Sequence, residues 1–289
     1  MLLYIPWFQA QAITVEGPWG PIGVHPFGLL VLAGVVVGAW IARRRAMTAG
    51  LAPDTVMNLA GWILIPAFVV AHVFDAVAYH PARVLDEPLY LLRLWEGISS
   101  FGGFLGALVG GLTWSRRRGL DLPTFADPIA FSFPFGWLFG RLGCFVVHDH
   151  PGHVTMSPLG VADYVVGQPP YQVRHDLGLY EVFWCLGAIA LFAALSRRAR
   201  PRGLYLALLP LVYAPVRFGL DFLRATDVEL SDARYLGLTP GHYASLVLFA
   251  LGLAAARRVA VQPWPAVPRH AQWPEPPPSV VDEDHAPTL

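Results

Sequence analysis

The sequence predicts an all-α integral membrane protein: a seven-transmembrane-helix bundle with a small external head, N-terminus outside the cytoplasm and C-terminus inside. Three observations carry this expectation. The chain of 289 residues is 55% hydrophobic and only 14% charged, with a mean hydropathy of +0.49. A soluble domain carries about 25% charged residues, so this composition points to lipid as solvent. Seven apolar stretches approach the ~20 residues needed to span a bilayer. The arginines alternate between loops as the positive-inside rule requires.

The spans read from the sequence are Val24–Ile41, Thr55–Ala78, Gly97–Trp114, Phe125–Val147, Tyr180–Leu195, Leu204–Leu223 and His242–Ala255. Arg43–Arg45 follow the first, Arg116–Arg118 the third, Arg197, Arg198, Arg200 and Arg202 the fifth, and Arg257 and Arg258 the seventh. The opposite loops carry only Arg83, Arg93, Arg174 and Arg234. Every odd span therefore runs from outside to inside. Residues 1–261 form the membrane domain. Its loop at about 148–178, rich in Gly, Pro and His, is expected to fold as an external head. Residues 262–289 form a Pro-rich polar tail expected to be disordered in the cytoplasm. No basic n-region precedes the first span, so no cleavable leader is expected. No internal repeat is visible, which speaks against many transporter architectures. The zero net charge says nothing for nucleic acid, and no nucleic-acid partner is expected.

Charge inside a membrane costs at least ~2.5 kcal/mol per arginine at mid-helix and marks function. Arg141 closes the fourth span. Arg217 lies in the sixth, with Asp221 and Arg224 on nearly the same face. Glu181 opens the fifth. The topology brings all of them to one depth, near the outer headgroups. Two guanidiniums there would grip a phosphate through bidentate hydrogen bonds. The same residues would also serve as a structural ion-paired cluster, with Arg141 snorkelling to the interface.

Gly102, Gly103, Gly106, Gly110 and Gly111 stand on the third span, either packing helices closely or walling a lipid cavity. His148, Asp149, His150 and His153 surround Pro151 and Gly152, which break any helix that would align ligands, so no metal is expected. A hydrogen-bonded turn fits this run, and so does a histidine general base. Cys144 and Cys185 lie in apolar segments and form no disulfide framework.

Several runs, in order, resemble the bacterial prolipoprotein diacylglyceryl transferases. Phe139-Gly-Arg-Leu-Gly-Cys-Phe145 is similar to that family's Gly-Arg-x-Gly-Asn/Cys-Phe run, with Asp127-Pro128 before it and Gly152 after it. Arg174-His175, Tyr180-Glu181, Arg217-Phe-Gly-Leu-Asp221-Phe-Leu-Arg224, Gly241-His-Tyr-Ala-Ser245, Trp95-Glu96-Gly97 and Ser99-Ser-Phe-Gly-Gly103 match further blocks. The resemblance covers about Val24 to Ala255. Five positions depart from the pattern: Phe101 replaces a His, Phe27 a Tyr, Val147 an Asn, Asp149 a Glu and His242 a Gln.

The resemblance implies transfer of a diacylglyceryl group from phosphatidylglycerol to the lipobox cysteine thiol of a prolipoprotein signal peptide. It implies no cofactor. It also implies a multi-pass protein of the bacterial cytoplasmic (inner) membrane, with its active site near the outer leaflet. Arg141, Arg217, His148 and His150 become the candidate catalytic residues. Gly102, Gly103, Glu181, Asp221, Arg224, His25 and Asp149 become candidate substrate contacts, together with membrane lipid. The alternative is a catalytically altered or inactive member that binds phospholipid or uses another acceptor.

Overall fold

The computed structural model describes residues 4–6, 8, 10, 13–17, 20–93, 97–163, 172–198, 200–228, 234–261 and 266–274. A hairpin of β1 (Ile13–Gly17) and β2 (Gly20–Val24) leads into α1 (Pro26–Thr48) and α2 (Pro53–Tyr79). A short α3 (Pro81–Asp86) and a 3-10 turn at Pro88–Leu92 connect to α4 (Ser100–Arg118) and α5 (Leu122–Val147). Strands β3 (Pro151–Val154), β4 (Val161–Asp163) and β5 (Gln172–Asp176) precede α6 (Leu177–Ser196), α7 (Leu204–Asp221) and α8 (Pro240–Val261). Local signals set several boundaries. Proline occupies the first turn of α1, α2 and α5, where its missing N–H is harmless. Asp121 caps α5 through the Thr124 amide at 3.0 Å, and Asp176 caps α6 through Leu179 at 2.9 Å.

Six helices, α1, α2, α5, α6, α7 and α8, are long and apolar enough to cross a membrane. Their outward faces leave Leu32, Val36, Ile65, Val77, Leu246 and Val247 exposed, a girdle that only an apolar surround tolerates. The chain is a multi-pass membrane protein. The third expected span is also helical, as α4, but it does not reach the apolarity of the other six. Five glycines and three terminal arginines dilute its hydropathy.

Those glycines have a packing role. A Cβ on Gly102, Gly106 or Gly110 would stand 2.5, 2.2 or 1.9 Å from the carbonyl oxygens of Val70, Pro66 and Trp62 on α2. The four-residue spacing makes one stripe along α4. Pro66 lacks an N–H and so releases the Trp62 carbonyl from its helical bond. That carbonyl faces Gly110 directly.

The ends of α1 and α4 carry arginine runs, and a core of Ala46, Leu51, Val56, Leu59, Trp114, Leu120 and Phe125 closes this arginine-rich end. Residues 266–274 of the tail pack against it. Ala271 is fully buried there and Val267 nearly so. Ala52 N–H donates to Ala271 O at 2.8 Å, and Trp273 N–H to Gly50 O at 3.2 Å. Apolar residues scattered among the tail's prolines drive this docking, against the polar average of the segment. The remaining tail residues lie outside the described set. Nearby, Asp127 of α5 accepts the Tyr205 and Leu206 amides at 2.7 and 3.0 Å. It thus caps α7, whose own N-cap, Gly203, has no side chain to offer.

Candidate active site

The other end of the bundle carries a sheet, in the order β3-β5-β4. This is the segment expected to form a head; residues 164–171 of it lie outside the described set. The chain after α7 extends the sheet's edge: His153 N–H donates to Leu223 O at 2.8 Å and Ala225 N–H to Pro151 O at 3.2 Å. Arg174 locks the two together. Its guanidinium donates to both Asp227 carboxylate oxygens, at 2.9 and 2.6 Å, and to Gly152 O at 3.2 Å. Hydrogen bonding from Arg174 holds the Asp227 carboxyl below its usual range. The N-terminal arm lies on the same sheet, with Ile5 N–H donating to Gly160 O at 2.9 Å and Ala162 N–H to Ile5 O at 3.1 Å.

Beneath the sheet, the ends of α5, α6, α7 and α8 converge. The start of α6 presses on the end of α5: a Cβ on Gly178 would stand 2.9 Å from the Phe145 nitrogen. This contact sets Glu181 against Arg141, Nε to Oε2, at 2.8 Å, with side chains 1% and 7% exposed. Tyr213 OH of α7 donates to the same carboxylate oxygen at 3.0 Å. The Trp137 ring lies 4.6 Å under the Arg141 guanidinium. One turn beyond Tyr213, Arg217 pairs with Asp221 at 2.5 Å. Asp221 also accepts from Arg224 Nε at 3.1 Å and Thr239 Oγ1 at 2.5 Å. A Cβ on Gly241 would stand 1.7 Å from an Asp221 oxygen, so only glycine admits this carboxylate. Arg217 lies close enough to Glu181 and Arg141 for their charges to interact. Nη1 of Arg217 carries the pair with Asp221, while its Nε is buried without a hydrogen-bond acceptor among the described residues.

Arg141, Arg217, Glu181, Asp221 and Arg224 therefore meet in one cluster. His150 and Asp149 stand at its edge, joined to each other by a short contact, and His150 is in electrostatic range of Glu181. The other candidates fall elsewhere. His148 ends α5 in the left-handed region, with φ 52°. Its Nδ1 faces Asp176 Oδ2 at 2.9 Å and its Nε2 faces Phe8 O at 3.2 Å. Each ring nitrogen faces an oxygen, so His148 ties the N-terminal arm to the start of α6. His25 is exposed at the start of α1, with no contact tying it to the cluster. Gly102 is sealed against α2, so it walls no cavity; Gly103, by contrast, meets only Ala71 Cβ, at 3.9 Å. Arg141 and Arg217 are both buried. A cavity of about 430 Å³ does lie close by, between α2, α4 and α8, and is lined by Phe74, Phe101, Tyr235, Tyr243 and Val247, without either arginine. Phe101 contributes an apolar ring to its lining.

Sequence reading missed Trp137, Tyr213 and Thr239. Two of them were within reach. Trp137 precedes Arg141, and Tyr213 precedes Arg217, by four residues, one helical turn on the same face. Thr239 precedes its helix and gave no such signal. Trp95 and Glu96 of the resembling motif lie outside the described residues.

Fold and site define a polytopic membrane protein with two buried arginine–carboxylate pairs at one end of its bundle. Residues 15–257 match the family described as prolipoprotein diacylglyceryl transferase. The phosphatidylglycerol–prolipoprotein diacylglyceryl transferase of Chromohalobacter salexigens is 32% identical over 239 residues, 81% of this chain and 88% of that protein. Those of Nitratidesulfovibrio vulgaris strain DP4 and Methylococcus capsulatus are each 32% identical. They cover 87% and 82% of this chain, and 95% and 92% of their own. The chain belongs to the prolipoprotein diacylglyceryl transferase family.

Proposed function

We propose that the chain moves a diacylglyceryl group from phosphatidylglycerol to the lipobox cysteine of a prolipoprotein in the bacterial inner membrane. Its membership of the family, together with the convergence of Arg141 and Arg217 around Glu181, carries this reading. The thiol sulfur attacks the glyceryl carbon bearing the phosphate. A C–S bond forms as the C–O bond breaks, and glycerol phosphate leaves. Charge grows on the leaving phosphate oxygen, where fixed guanidinium donors act most strongly. Arg217, with its buried Nε lacking an acceptor among the described residues, takes the phosphate by exchanging part of the ion pair that its Nη1 makes with Asp221. Arg141 is held ready by Glu181 and Trp137. His150, with a partly exposed ring and within electrostatic range of Glu181, takes the thiol proton. Gly103, Asp149 and Arg224 border the substrate. Neither a cofactor nor a nucleic acid takes part.

The site faces the outer leaflet, in a bundle of seven spans with its N-terminus outside. The arm before α1 and the sheet after α5 touch, so an even number of crossings must separate them. With α1, α2 and α5 crossing, α4 has to cross as well. The arginine runs ending α1 and α4 then share the cytoplasmic side.

The test is complementation of a strain depleted of its own transferase. The chain should restore growth and lipoprotein maturation. Arg141→Ala, Arg217→Ala and His150→Ala should fail while reaching the membrane at normal levels. Failure of the unmodified chain would favour a lipid-binding member that has lost the reaction.

A further inference from the structure

We propose that Cys144, Asp149 and His150 form a binding site for a divalent cation of the zinc class, and that the bound ion arrests transfer. The cation site stands by itself; the arrest rests on the role proposed above for His150.

Local backbone geometry creates the cluster. The left-handed His148 reverses the chain at the end of α5, and Asp149 N–H then points back to Cys144 O at 3.4 Å, as in a Schellman closure. Asp149 and His150 thereby fold over the Cys144 side chain, which the sequence spacing alone does not reveal. One ligand atom from each of the three residues lies within 4.8 Å of the others. Zinc bonds to sulfur, nitrogen and oxygen are about 2.0–2.3 Å, so tetrahedral ligand atoms stand roughly 3.5 Å apart. Side-chain rotations of about an ångström close that gap. Cys144 is 7% exposed, whereas the Asp149 and His150 side chains are 39% and 25% exposed. The cluster thus has a buried sulfur beneath a water-accessible entrance. Three protein ligands leave a fourth position for water.

The charges permit the ion. Arg141 Nη1 lies 3.7 Å from Cys144 Sγ, beside the sulfur that binds metal as thiolate. Its own repulsion for a dication is offset by Glu181, paired with it at 2.8 Å. On binding, the Cys144 thiol gives its proton to the buffer as the sulfur–metal bond forms. The imidazole binds neutral, its single proton on the nitrogen facing away. His150 then no longer has a lone pair for a substrate thiol.

The experiment uses the tag-free full chain in detergent, exposed to zinc or to cobalt(II) alone, with transfer measured on the same samples. One ion per chain should bind, and the cobalt form should absorb through a sulfur-to-metal charge-transfer band. Cys144→Asn and Asp149→Asn should weaken binding by more than the roughly tenfold that loss of even an outer partner costs. The cobalt band should vanish in Cys144→Asn. Zinc should lower the transfer rate of the unmodified chain, and chelation should restore it. Binding unchanged in Cys144→Asn, or cobalt bound without the band, overturns the site and leaves the role of His150 untouched. Zinc bound through Cys144 with transfer at full rate overturns the arrest, and with it the role of His150.

Discussion

The two ends of the bundle use the same residue in opposite ways. At the arginine-rich end, Arg43 pairs with Asp54 at 2.7 Å while both side chains stay largely in water. Arg44 and Arg117 lie over the rings of Trp40 and Trp62. At the sheet end, Arg141, Arg174 and Arg217 are buried, and a carboxylate is bound to each. A guanidinium in water at the membrane surface sets orientation and little else. A buried one must have partners, and its position is then fixed to within a hydrogen bond. Number and sequence context do not separate the two kinds; the apolar helix around Arg141 and Arg217 does.

Substitutions at the two ends should differ accordingly. The largest effect belongs to Arg217→Ala, which leaves Asp221 with only Arg224 and Thr239. Transfer should be lost, and stability in detergent should fall by about 3–5 kcal/mol, the range for breaking a buried pair. A variant that melts like the parent would mean that Asp221 is already satisfied without Arg217. Next comes the interface that joins the ends. Gly110→Leu must displace α4 from the Trp62 carbonyl, and over-packing of this kind costs about 1–3 kcal/mol. An unchanged melting temperature would mean that α4 is free to move off α2. The smallest effect is expected from Arg43→Ala, under about 1 kcal/mol, with transfer unaltered. A large loss there would erase the distinction between the ends.

The sequence made the helices and the pairing of Arg217 with Asp221 legible, because apolar length and four-residue spacing are local properties. Long-range contacts were not legible. Gly110 meets α2 so closely because Pro66, forty-odd positions earlier, frees the Trp62 carbonyl opposite it. His148 and His150 look equivalent in sequence, yet one turn of left-handed backbone gives His148 two acceptors and leaves His150 beside the cluster. The tail looked uniformly polar because its average hides Val267 and Ala271, the residues that meet the core. The low hydropathy of α4 has the opposite cause: its glycines suit a neighbouring helix rather than lipid.

The clamp on the N-terminal arm has a consequence for biogenesis. Phe8 and His148 are 140 residues apart in the chain, and protein synthesis adds about 5–20 residues per second. The arm therefore leaves the ribosome roughly ten seconds before its partner exists, and it waits while the helices between them are inserted. Closure of the arm over the sheet is thus among the last steps of maturation, and a bulky fusion at the first residue would be felt then, long after insertion had succeeded.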